Sequence, residues 1–186
     1  MENILNSSAI YPSLKDKIVL ITGGASGIGS SIVELFCYQQ SKVIFIDVDD
    51  KNANQIVNYN NQTHKNKPIY LNCDLKNTEL LIETIKKIGL EVGNISILIN
   101  SAAHDERHKI NDVTSKYWDD RLNINLKHFF FAAQTCSDMM KKNGGGTIVN
   151  LGSFSWMMGI AGMICYTTAK SAVNGLTRSL AKELGE

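Results

Sequence analysis

The chain predicts an α/β fold built on a doubly wound parallel sheet. Three observations carry that prediction. Short apolar runs rich in β-branched residues alternate with longer stretches of helical periodicity. A glycine-rich turn, Thr22-Gly23-Gly24-Ala25-Ser26-Gly27-Ile28-Gly29, joins the first run to the first helical stretch. No internal repeat or linker divides the 186 residues, so a single domain over 1–186 is expected, long enough to bury a core. An apolar share of 44% against 20% charged residues reads as globular rather than disordered.

The runs at 18–21, 43–46, 69–71, 95–99 and 148–151 are brief and read as strands buried on both faces. Between the first two, Ile28, Ile32, Leu35 and Phe36 mark one face of a helix. Leu81, Ile85 and Ile88 do the same before Gly89. Strands alternating with helices imply right-handed βαβ units and a parallel sheet. The expected strand order is 3-2-1-4-5, with a ligand crevice at the carboxyl ends where the order reverses. The Asn- and Lys-rich stretch 52–67 reads as polar surface.

Composition excludes several classes. A net charge of +1 leaves no electrostatic footprint for nucleic acid or an anionic membrane. Cys37, Cys73, Cys136 and Cys165 are scattered without a C-x-x-C pair, which predicts reduced thiols in a cytoplasmic protein. His64, His104, His108 and His128 do not fall at metal-ligand spacing with them, so no metal site is expected. Neither a leader nor an apolar run of bilayer-spanning length is present, which predicts a soluble chain.

The glycine turn has the context of a phosphate site: it follows a strand and opens a helix. Missing side chains let the backbone approach a pyrophosphate, and the helix N-terminus offers free N–H groups. A tight structural turn is the plain alternative. Asp47 ends the second run, eighteen residues after Gly29. A carboxylate there accepts hydrogen bonds from both adenosine ribose hydroxyls and repels a 2′-phosphate. Asp49 and Asp50 add to the negative field, and Ala25-Ser26 supplies no cation, so NAD is expected over NADP. Capping of the following helix is the other use for Asp47.

Tyr166 and Lys170 stand four residues apart, on one face of a helix. Such a pair is usually just a solvated or packed face. A phenol titrates near ~10, too high for a base at neutral pH, and a neighbouring ammonium favours its phenolate. Tyr166 is therefore a candidate general base for alcohol oxidation and general acid for the reverse.

With these residues in place, the chain resembles the short-chain dehydrogenase/reductase family from Lys17 onward. The resemblance implies a Rossmann-type domain, a nicotinamide cofactor and a homo-oligomer, tetramer or dimer. It implies Gly23, Ser26, Gly27, Ile28 and Gly29 as cofactor contacts, Asp74 at the adenine, and Asn100 at the end of the fourth strand. Ser153, thirteen residues before Tyr166, becomes the donor to the reacting oxygen, and Asn125 the support of a proton-relay water. Lys170 would also bind the nicotinamide ribose. The family reads Asn-Asn-Ala-Gly where this chain has Asn100-Ser101-Ala102-Ala103, which requires a negative φ at Ala103. Family members continue beyond a helix like that of Tyr166 with further strands and a substrate loop. The expectation is a sheet lacking the family's last strands.

Two segments are similar to the bacterial aldose 1-dehydrogenase branch (xylose and galactose dehydrogenases): N-S-A-A-H-D-E-R-H-K at 100–109 and L-G-S-F-S-W at 151–156. Tyr11-Pro12-Ser13-Leu14 and Tyr117-Trp118-Asp119 add to the likeness. A pyranose needs polar groups beside a flat apolar surface, which Asp105, Arg107 and His108 with Trp156 would provide. The expected reaction is oxidation of an aldose at its anomeric carbon. A charged surface loop is the alternative for 105–108, and a core or interface aromatic for Trp156. Phe129-Phe130-Phe131 and Met157-Met158 point to burial against another subunit. Because the catalytic set does not read the substrate, a 3-ketoacyl or secondary-alcohol reductase stays open, as does a catalytically silent NAD-binding fragment.

Overall fold

The β-branched runs pair side by side in one parallel sheet of five strands, ordered β3-β2-β1-β4-β5. These are β1 (Ile18–Thr22), β2 (Lys42–Asp47), β3 (Ile69–Asn72), β4 (Ile97–Asn100) and β5 (Thr147–Asn150). The computed structural model describes residues 9–185. Residues 1–8, where a leader would begin, and Glu186 lie outside the described residues. Register sets Val19 against both Val43 of β2 and Ile97 of β4.

Side-chain alternation along the strands divides the core in two. Leu20, Ile44, Ile46 and Leu98 face one way, against Leu81, Ile85 and Ile88 of α3 (Thr78–Glu91) and Ala132, Ala133 and Cys136 of α5 (His128–Lys142). Val19, Ile21, Val43, Phe45 and Ile99 face the other, against Val33 and Cys37 of α1 (Gly27–Tyr38) and Ala53 of α2 (Asp50–Thr63). Helices thus cover both faces, as a doubly wound sheet requires. Two further helices complete the order: α4 (Ser115–Leu122) before α5, and α6 (Ile164–Leu184) after β5.

Burial on both faces holds for β1, β2 and β4 but not for the outer strands. In β3 and β5 every residue keeps some exposure. Both are edges with a neighbour on one side only, and an edge leaves side chains open at the rim of the sheet. The fourth strand also starts later than its apolar run suggests, because Ile95 is buried in the turn that precedes the ladder.

Capping residues set where the helices begin. Asp49, Asn77 and Thr114 accept from backbone N–H groups of the first turns of α2, α3 and α4. Ser26 at the head of α1 makes no such bond. No helix among the described residues is long and apolar enough to cross a membrane.

Candidate active site

A cleft of about 590 Å³ opens at the carboxyl ends of the strands. Its walls include Gly23, Ser26, Gly27, Ile28, Gly29, Asp47, Asp74, Tyr166 and Lys170. Residues from Gly23 to Lys170, far apart in sequence, are therefore neighbours around one space.

The turn is built for close backbone approach. A Cβ on Gly29 would lie 1.9 Å from the Gly23 carbonyl oxygen, so only glycine closes this bend. Gly27 has φ of +54°, and a Cβ there would meet no atom within 4 Å. The space it would enter adjoins the cleft, which is what a cradle for a phosphate group requires. The uncapped head of α1 leaves its first N–H groups free for the same ligand. These residues fit a dinucleotide pyrophosphate.

Asp47 is fixed by its own backbone surroundings. One carboxylate oxygen accepts from Ala25 N at 3.0 Å, the other from Val48 N at 2.7 Å and Asp49 N at 3.1 Å. The cap of α2 is Asp49, so capping does not account for Asp47. Asp74 lines the cleft farther along, with Oδ1 accepting from Lys76 N at 3.0 Å.

Asn100 lies behind the cleft wall. It is fully buried and donates from Nδ2 to Asn150 Oδ1 at 2.9 Å, which ties β4 to β5. The following loop hangs on Thr22, whose Oγ1 accepts from Ser101 N and Ala102 N at 3.0 and 3.2 Å. Among the described residues only Asp16 and Gln40 are non-glycine positions with positive φ, so Ala103 meets its condition.

Asn125 sits where the helix widens into a π turn, Asn123–Lys127, between α4 and α5. Its Oδ1 accepts from His104 N at 2.8 Å, while Nδ2 donates to His104 O at 3.0 Å and Arg121 O at 2.9 Å. The side chain is fully buried and nearly saturated by backbone. Its first effect is to hold the loop at His104; one lone pair remains for a water.

Tyr166 is half-buried, whereas Lys170 is only 2% exposed. The Lys170 ammonium donates to Leu151 O at 2.7 Å and lies 5.8 Å from the centre of the Tyr166 ring and 4.8 Å from that of Phe129. Burial pulls its pKa from 10.5 down to about 8. Phe129 is thus an internal residue beside the lysine, and of the three consecutive phenylalanines only Phe130 faces outward. His128 is buried next to it, with neither ring nitrogen in a hydrogen bond. Burial first, and the Lys170 charge second, hold that imidazole neutral and well below its usual range.

Ser153 follows the cleft-lining Leu151 and Gly152 and pairs with Ser155 at 2.8 Å between hydroxyls. Ser153 itself, Asn125, Asp105, Arg107, His108 and Trp156 do not line the cleft. Arg107 donates to Ala161 O at 3.2 Å, and His108 N to Gly162 O at 3.0 Å. His108 also meets Tyr117 through Nδ1 at 3.1 Å. Their loop is therefore laced to Ala161 and Gly162, in the segment between β5 and α6. Asp105 is exposed, and Trp156 is 36% exposed.

Arg121 and His104 line the cleft without having been singled out from the sequence. Arg121 contacts Glu106 at 3.3 Å and also touches Asp120 and His104, so it braces the same loop. Its place one helical turn before Asn125 was the available signal.

The family model described as short chain dehydrogenase matches residues 17–186. The D-xylose 1-dehydrogenase of Caulobacter vibrioides is 45% identical over 96% of this chain and 70% of its own length. A protein described as "probable galactose dehydrogenase" in Rhizobium meliloti is 35% identical, again over 96% and 70%. Among solved structures, a short chain dehydrogenase from Mycobacterium smegmatis superposes with a TM-score of 0.87 at 25% identity, covering 95% of this chain and 73% of that one.

Proposed function

The chain belongs to the short chain dehydrogenase family, an oxidoreductase acting on CH–OH donors with a nicotinamide cofactor, and from that premise we propose NAD-dependent oxidation of an aldose at its anomeric carbon. One observation carries the reading: Tyr166 and buried Lys170 share a cleft wall with the glycine turn. When bound, the nicotinamide ring supplies the hydride acceptor.

In the proposed reaction the anomeric C–H leaves as hydride while the O–H proton passes to Tyr166 Oη, and the carbon becomes a lactone carbonyl. Lys170 stabilises the negative charge that Tyr166 must carry before it takes the proton. Ser153 donates to the reacting oxygen, where charge develops. Asn125 positions the loop at His104 and supports the relay water. Gly23, Ser26, Gly27, Ile28 and Gly29 hold the pyrophosphate side of the cofactor, Asp74 its adenine side, and Asn100 braces the wall from behind. Asp47, locked by three backbone donors, meets the ribose hydroxyls and disfavours a 2′-phosphate, which supports NAD over NADP. Asp105, Arg107, His108 and Trp156 flank the sugar. The D-xylose and galactose dehydrogenases among the relatives support that substrate class. Free cysteines Cys37, Cys73, Cys136 and Cys165, all buried, fit a cytoplasmic location. Exposed Phe130, Met157 and Met158 support a homo-oligomer.

The test is a panel of aldoses and simple alcohols with NAD and NADP, run on wild type and Tyr166→Phe. Aldose-dependent reduction of NAD is expected, falling by ~100-fold or more in the variant. A variant that keeps its rate removes Tyr166 from the chemistry. Faster turnover with NADP removes the Asp47 argument, and activity confined to simple alcohols removes the sugar.

A further inference from the structure

We propose that Ser155 forms, with Ser153, a two-hydroxyl clamp that recognises a substrate bearing a hydroxyl on the carbon next to the reacting one. This rests on the assignment of Ser153 as donor to the reacting oxygen.

The two hydroxyl oxygens lie 2.8 Å apart, and Ser155 N also donates to Ser153 Oγ at 3.2 Å. A serine oxygen has two lone pairs and one hydrogen. If Ser155 Oγ–H also donates to Ser153, both lone pairs of Ser153 are filled. Its hydrogen is then its only remaining capacity, and Ser153 becomes an obligate donor. The opposite orientation spends that hydrogen on Ser155 and leaves Ser153 unable to donate to substrate. An electron-rich reacting oxygen selects the first orientation, and hydrogen bonds in such a chain strengthen one another.

That orientation leaves the lone pairs of Ser155 Oγ open, since Ser153 is its only hydrogen-bond partner among the described residues. They suit a hydroxyl that donates. Leu151 and Gly152, just before the serine pair, line the cleft, and Ser153 and Ser155 are both half-buried. Two oxygens in hydrogen-bond contact beside that stretch of wall match the separation of hydroxyls on adjacent ring carbons. A sugar presents that pair, whereas a simple secondary alcohol or a 3-ketoacyl chain does not. Ser155 would thus separate the proposed substrate class from the competing ones.

The experiment compares an aldose with its 2-deoxy analogue, with NAD, on wild type, Ser155→Ala, Ser155→Thr and Ser153→Ala. Wild type should favour the 2-hydroxylated sugar in kcat/KM by about tenfold or more. Ser155→Ala should lose about tenfold more on that sugar than on the deoxy analogue, and Ser155→Thr should restore the preference. Ser153→Ala should fall on both substrates alike. Equal losses of Ser155→Ala on both, no loss on either, or a wild type indifferent to the neighbouring hydroxyl overturns the clamp. A Ser153→Ala variant that keeps its rate overturns the donor assignment on which the clamp rests.

Discussion

Lys170 illustrates how a working residue can act against the fold that holds it. The residue is 2% exposed, and its ammonium has one carbonyl acceptor, from Leu151. Native Lys170 releases its proton near pH 8, whereas the unfolded chain holds it to about 10.5. Between those values the unfolded state binds more protons, so stability rises with pH; below about 8 the burial cost is present in full. That cost is on the order of 3 kcal/mol, against roughly 1.5–3 kcal/mol for the charged hydrogen bond to Leu151. Lys170→Met should therefore be at least as stable as wild type at pH 7 while losing activity. Melting temperatures from pH 7 to 10 check this: the wild type should gain on the variant as pH rises. A constant difference across that range would show that burial does not strain this lysine. The same scale shows why some of the site could be read from sequence and some could not. Gly23, Gly27, Gly29 and Asp47 keep fixed offsets along one strand–turn–helix unit, so their approach to one cleft is written in local spacing. His128 carries no local signature, because only the packing of α5 under Lys170 makes it a neighbour of the site, whereas Arg121 had only its place one turn before Asn125.

At the level of elements, the junction of α4 and α5 joins the fold to the site. Asn125 interrupts the regular ladder by donating to the Arg121 carbonyl one turn earlier, and the helix widens into a π turn around it. The same amide holds both backbone groups of His104, so helix and loop are fixed by one side chain. Asn125→Leu keeps the volume but leaves the N–H and C=O of His104 and the C=O of Arg121 without this partner. These groups are only part-buried, so each costs toward the low end of roughly 1–3 kcal/mol and the expected loss is about 3 kcal/mol at most, with turnover reduced more than cofactor affinity. Urea titration and NAD binding check it; an unchanged midpoint would mean that solvent replaces the amide. A π turn is not visible in apolar periodicity, which passes through Ile124 and Phe129 as through any amphipathic helix. The central strands were visible, because β1, β2 and β4 are apolar on both faces. The expected order 3-2-1-4-5 already put β3 and β5 at the edges, so their exposure followed from topology and not from their apolar composition.

Taken as a whole, the molecule leaves apolar side chains uncovered at many points, Ile28, Leu90 and Ile110 among them. Phe130 at the start of α5 is 39% exposed, and Met157 and Met158 between β5 and α6 are 63% and 62% exposed. Ile164, opening α6, adds a further 43%. The two central layers of the sheet are by contrast closed, with Leu20, Ile44, Val19 and Phe45 fully buried. Isolated exposed apolar residues are ordinary, so Phe130, Met157, Met158 and Ile164 are informative only if association covers them together. Burying about three such side chains contributes several kcal/mol before the cost of association is subtracted. Self-association through α5 and α6 is the outcome that the homo-oligomer assignment predicts. Light scattering of wild type should then give a mass that is a multiple of the 20.6 kDa chain. Phe130→Glu should shift the population toward the single chain without unfolding it, because Phe130 lies outside both core clusters. Circular dichroism would verify that the variant remains folded. A wild type that runs as a single chain, or a Phe130→Glu variant that associates as before, would move the contact away from this face.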